Sequence, residues 1–153
     1  MKLSNETRRG KTLLLVEDDV LTAMALRDEL GDAGYRVLEL TISWEEAIAA
    51  VLKDKPDLAL VNIQLEGRPD GVALASELKA MGVPSLFISG QVDRAKSARS
   101  VAVGSMPKPY SVTDMRRAVD YFLLRTDGQA TSPVPPGLEV FLSDLDGITP
   151  QAA

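Results

Sequence analysis

The sequence predicts an α/β domain built around a five-stranded parallel sheet with five helices. Three observations carry that expectation. Short apolar runs alternate with longer amphipathic ones across residues 11–125; the run Leu58–Val61 is apolar without alternation; and acid, amide, hydroxyl and lysine side chains recur where the strand-like runs end. Strands alternating with helical patterns indicate βαβ units, and a strand without alternation is covered on both faces.

Taken in order, the first strand is Lys11–Val16, and the helix Leu21–Ala33 follows and stops at Gly34. The second strand is Arg36–Thr41. Ser43 with Glu46 three residues on reads as a capping box opening the helix Trp44–Lys53, with Trp44 as a packing anchor. The third strand, Asp57–Ile63, contains the uniformly apolar run and is the central one. The turn Gly67–Gly71 leads into the helix Gly71–Met81, with Asp70 as its N-cap. The fourth strand, Val83–Ser89, precedes a short helix Val92–Ser97. The fifth, Val101–Met106, precedes the helix Val112–Leu124, which Ser111 and Asp114 cap.

Composition narrows the chemistry. The 153 residues include 17 Lys+Arg and 22 Asp+Glu, with no His and no Cys. Histidine acid–base catalysis, Ser-His-Asp and Cys-His nucleophiles, zinc sites and disulfides are excluded together. A net charge of −5 is no nucleic-acid footprint. The apolar run Leu13–Val16 is too short for a signal-peptide core or a membrane span, so a cytoplasmic protein without membrane contact is expected.

Three regions are expected: a polar arm at 1–10, the domain at 11–125, and a Pro-rich acidic tail at 126–153. The tail holds Asp127, Glu139, Asp144 and Asp146 with no Lys or Arg, and so four of the five net negative charges. Thr126–Gly137 reads as a mobile linker of polyproline character. Within 138–145, Leu138, Phe141, Leu142 and Leu145 have the spacing of an apolar helical face, able to dock on this domain, on a second copy or on a partner.

In a doubly wound sheet, ligands gather outside the carboxyl ends of the strands. Here those ends carry Glu17-Asp18-Asp19, Asn62 with Gln64, Ser89, and Lys108. Adjacent carboxylates repel unless a cation sits among them, which points to an oxygen-ligand Mg²⁺ site with Lys108 as a point charge. The motifs L-L-L-V-E-D-D, D-L-A-L-V-N-I-Q-L, P-S-L-F-I-S-G and M-P-K-P-Y, in that order, resemble the receiver domain of two-component response regulators over residues 11–125.

That resemblance implies a flavodoxin-like sheet of order 2-1-3-4-5 and a role in phosphorelay signalling. It implies that Glu17 and Asp18 are the acidic metal-binding pair and that the Gln64 carbonyl is a further metal ligand. Ser89 and Lys108 would follow the phosphoryl group, and Asn62 would stand at the phosphoacceptor position. A carboxamide is neutral and weakly nucleophilic and cannot form an acyl phosphate, so the chain as written is not expected to be phosphorylated. Mg²⁺ binding is expected to be weak, while the Asn62 NH₂ can donate to Glu17 or Asp18.

Two more departures stand out. Ser105 occupies the place where receivers usually carry a switching aromatic, and Tyr110 lies elsewhere. The Ser89 to Lys108 interval, 19 positions, shortens the fourth helix. These features resemble receivers whose fourth strand reads P-F-x-F-A-T-G and which pair with HWE-type sensor kinases. The expected partner is a sensor histidine kinase or another two-component protein, with a homodimer allowed through the fourth and fifth helices.

Arg94, Lys96, Arg99, Arg116 and Arg117 would form the basic partner face, suited to an acidic partner or the acidic tail. The expected function is therefore a receiver-like regulator without an effector domain or catalytic residues, acting by protein contact. The alternative is an ordinary phosphorylatable receiver in which Asn62 is an engineered replacement for Asp. A remote third is a phosphatase fragment, because Ser143–Thr149 looks like the D-x-D-G-x-T loop of haloacid-dehalogenase-type enzymes. That loop needs downstream lysine and acidic motifs, and only Pro150 to Ala153 follow, so the match reads as chance.

Overall fold

Burial on both faces explains the middle of the sheet: every residue of Leu58–Asn62 (β3) is buried, and Leu58 to Val61 have no solvent exposure. Around it the computed structural model, which describes residues 8–65, 71–124 and 133–141, builds a six-stranded sheet. The remaining strands are β1 (Thr12–Val16), β2 (Arg36–Val37), β4 (Ser85–Ser89), β5 (Gly104–Pro107) and β6 (Glu139–Val140). The helices are α1 (Val20–Asp32), α2 (Trp44–Lys53), α3 (Gly71–Ala80), α4 (Val92–Ser97) and α5 (Val112–Leu123), and a 3-10 turn spans Arg99–Val101. The order is β2-β1-β3-β4-β5-β6, parallel through β5 and antiparallel at β6.

The two-residue period of the strands divides the core. Leu13, Leu15, Leu60 and Ile88 pack on one face with Leu26 and Leu30 of α1 and Met115 and Phe122 of α5. Leu14, Val16, Val61 and Phe87 pack on the other with Val51 of α2, Leu74 and Leu78 of α3, and Ala95 of α4. Trp44 packs against this second face, as expected.

The caps form as read. Ser43 accepts the Glu46 N–H at 3.2 Å, and Ser111 accepts the Asp114 N–H at 3.0 Å. Gly34 takes φ 115° after α1, a left-handed conformation that favours glycine.

Three expectations need correction. The second strand is short: only Arg36 and Val37 pair with β1, while Thr41 makes an isolated bridge to Val16. The fifth strand begins at Gly104 because residues 99–101 turn, with the Val101 N–H bonded to the Ala98 carbonyl. Arg8, in the polar arm, is buried and clamps Asp120 of α5 with Nε at 3.0 Å and one terminal nitrogen at 2.7 Å. Residues 133–141 return to the domain. Leu138 to Phe141 are extended rather than helical, so Leu138 packs on the α1/α5 face and Phe141 on the opposite one.

Leu142, Leu145, Asp70 as a cap, the linker residues 126–132 and the 143–149 motif lie outside the described residues. Among the described residues, no helix is long and apolar enough to cross a membrane.

Candidate functional site

The strand ends converge because parallel strands share one direction, which places Glu17, Asp18, Asn62, Gln64, Ser89 and Lys108 along the same edge of the sheet. Local backbone contacts fix each of them. The Glu17 N–H bonds to the Thr41 carbonyl at 3.0 Å, and the buried Thr41 hydroxyl donates to the Leu15 carbonyl at 2.6 Å. Gly71, the first residue of α3, donates its N–H to the Ile63 carbonyl at 2.7 Å. A Cβ there would run into the Asn62 carbonyl oxygen and lie 2.8 Å from Val61 Cγ1, so glycine is what lets α3 start against the end of β3.

Asn62 is the hub. Its Nδ2 donates to Glu17 Oε2 at 2.9 Å and to Asp18 Oδ1 at 3.4 Å, and its Oδ1 accepts the Gln64 N–H at 3.0 Å. The opposite amide orientation would set oxygen against two carboxylates and NH₂ against an N–H, so the network dictates this one. Glu17 Oε2 also accepts the Asp19 N–H at 3.0 Å. Glu17 Oε1, buried and without a hydrogen-bond partner, lies 3.9 Å from Lys108 Nζ. Burial pushes the Glu17 carboxyl above the usual carboxylate range, opposed by the Asp19 N–H, Lys108 and the Asn62 amide.

The residues present do not fit a tightly held divalent cation. The Asn62 amide hydrogens point at the two carboxylates that would ligate one.

Ser89 is held in its own turn. Its Oγ accepts the Gln91 N–H at 2.7 Å and donates to the Gln91 carbonyl at 3.1 Å. The Lys108 N–H bonds to the Ser89 carbonyl at 2.9 Å, joining these two across β4 and β5. Ser105 lies buried in β5, opposite Phe87 on one side and Glu139 on the other.

A family model for the response regulator receiver domain matches residues 13–120. The chain belongs to that family. Among curated proteins, this receiver is 26% identical over 121 residues to the transcriptional regulatory protein PdtaR of Mycobacterium tuberculosis, covering 75% of the chain and 58% of that relative. The chain thus spans little more than half of that protein. Among solved structures, the signal receiver domain of a modulated diguanylate cyclase from Desulfovibrio desulfuricans matches with a TM-score of 0.67 and 32% identity, covering 78% of this chain and 97% of that one. The receiver domain of NtrX from Brucella abortus matches with a TM-score of 0.67 and 30% identity, covering 74% and 98%.

Three residues of the expected partner face make ion pairs within the chain. Arg116 turns toward α1, pairing with Glu29 at 3.3 Å and Asp120 at 2.9 Å. Lys96 lies 3.9 Å from Glu139 of β6, and Arg117 3.7 Å from Asp114.

Sequence reasoning gave several residues of this receiver no part in the site. Tyr110 has a buried hydroxyl without a partner, and burial with the Glu17 and Asp19 charges pushes it well above the usual phenol range. Gly71 was read as the end of a turn and the start of a helix, without the close approach to Asn62 that requires glycine. Val20, Leu21 and Met24 of α1 are exposed beside the acidic residues. Two apolar residues opening a helix, where solvated side chains are usual, were the available signal.

Proposed function

We propose that this receiver is a phosphorylation-independent binding module of a two-component phosphorelay, acting in the cytoplasm by contact with a sensor histidine kinase or another protein of the relay. One observation carries the reading: Asn62 occupies the end of β3 with a carboxamide whose donor and acceptor are both used, toward Glu17, Asp18 and Gln64. A carboxamide offers no oxygen able to form an acyl phosphate. The amide engages one oxygen of each acid and brings no negative charge of its own, so Mg²⁺ binds weakly. Ser105 supports the same view, since it brings no ring that could relay an event at the strand ends.

The exposed Val20, Leu21 and Met24 beside the site give an apolar patch suited to a protein partner. A second reading has its own support. Glu17, Asp18, Ser89 and Lys108 are all still in place around Asn62, as an ordinary receiver carrying an engineered Asn at 62 would keep them.

The test is intact mass after incubation with Mg²⁺ and acetyl phosphate, for this chain beside Asn62→Asp. The expected result is no mass gain for the parent. Gain of one phosphoryl group by the parent overturns the proposal. Gain by the Asp form alone shows that Asn62 by itself disables the chemistry, and gain by neither that the site has diverged further.

A further inference from the structure

The edge of β5 is built to receive a strand. The ideal Cβ of Gly104 would lie 2.6 Å from the Glu139 oxygen and 2.8 Å from Phe122 Cζ, so a side chain at 104 would exclude the backbone of β6. Phe141 donates its N–H to the Val103 carbonyl at 2.9 Å, and Glu139 and Val140 pair with Ser105 and Gly104. Leu138 and Phe141, 8% and 4% exposed, straddle this edge and enter opposite layers of the core. Gly137 takes φ 83° to turn the chain onto the edge.

Charge favours an acidic occupant. Arg94, Lys96 and Arg99 on α4 and the following turn outnumber Asp93 there, and Lys96 lies 3.9 Å from Glu139. The tail contributes four acids and no base. A strand of two paired residues is also the least supported in the sheet together with β2, and so belongs to the low end of the local-stability range.

We propose that the β5 edge is a docking seat for an extended, acidic segment of a partner protein, and that residues 138–141 of this chain occupy it in competition with that partner. The recognition is strand addition: backbone pairing with β5, apolar side chains on either side, and an acid facing Lys96. The proposal stands apart from the fate of Asn62. A tethered strand competes at an effective concentration on the order of millimolar, so a free segment gains the seat only when the tail is weakened or when its own affinity is high.

The experiment uses a fluorescein-labelled peptide of the chain's own residues 133–146 as probe, followed by anisotropy. Its targets are the full chain and the full chain carrying Leu138→Ser and Phe141→Ser. Binding to the variant at least about tenfold tighter than to the parent is expected, weakened by salt and by adding Lys96→Glu. Equal or absent binding by a cooperatively melting variant overturns the proposal, as does dimerisation of the variant without peptide, which would make a second copy the occupant. If the variant does not fold, hydrogen exchange on the parent decides. Faster exchange at Glu139 and Phe141 than at Leu60 supports a releasable strand, and equal protection refutes it.

Discussion

Asn62 donates its amide hydrogen to Glu17 at 2.9 Å, placing a neutral donor against a buried carboxylate. Replacing Asn62 by Asp turns that donor into a third carboxylate. In chelator the variant is expected to lose about 1–3 kcal/mol, and added Mg²⁺ should restore the loss. Melting curves of both forms, with EDTA and with Mg²⁺, check this. A melting temperature unchanged in EDTA would show that the amide bond contributes nothing.

Gly71→Ala is expected to destabilise the domain by about 1–3 kcal/mol, because the added methyl meets backbone at Asn62 and Ile63 rather than a movable side chain. Urea unfolding measures it. A neutral result would mean that α3 can shift away from β3 without cost.

Arg8→Ala should cost about 2 kcal/mol, since the side chain makes two charge-assisted bonds to Asp120 in a largely buried setting. Chemical denaturation of the variant tests whether the segment ahead of the family match stabilises the fold.

The Tyr35 hydroxyl donates to Asp120 at 2.6 Å, and burial beside that carboxylate pushes it well above the ordinary phenol value. Its folded-state value is raised, so its contribution is complete below about pH 10 and is lost as pH climbs beyond. Tyr35→Phe should therefore be about 1 kcal/mol less stable at pH 7, with the gap to the parent narrowing above pH 10. Denaturation curves at pH 7, 9 and 11 read this directly.

The sequence was most informative where one physical cause acts alone. Leu58–Val61 announces a strand covered on both faces, and Ser43 and Ser111 announce helix starts, because each signal is local. The acid, amide and lysine side chains at the strand ends were legible for the same reason. Parallel topology alone brings them together. What was missed depends on contacts distant in sequence. Leu138 and Phe141 fit a helical spacing, and a two-residue strand is too short to show a period of two. Gly104 becomes informative only once Glu139 is known to approach it, and Arg8 only once Asp120 is known to face it. The ion pairs of Arg116 were not legible because a helix position alone does not say which neighbour it meets.

The outermost strands of the sheet, β2 and β6, are each two residues long. Long unpaired edges are templates on which chains stack into aggregates and fibrils. Here the long strands lie inside, one border is flanked by the Arg36–Asp54 ion pair, and the other carries the acid Glu139. The geometry that seats the tail thus also denies uncontrolled lateral growth a foothold, and loosening that tail would trade colloidal safety for access to β5.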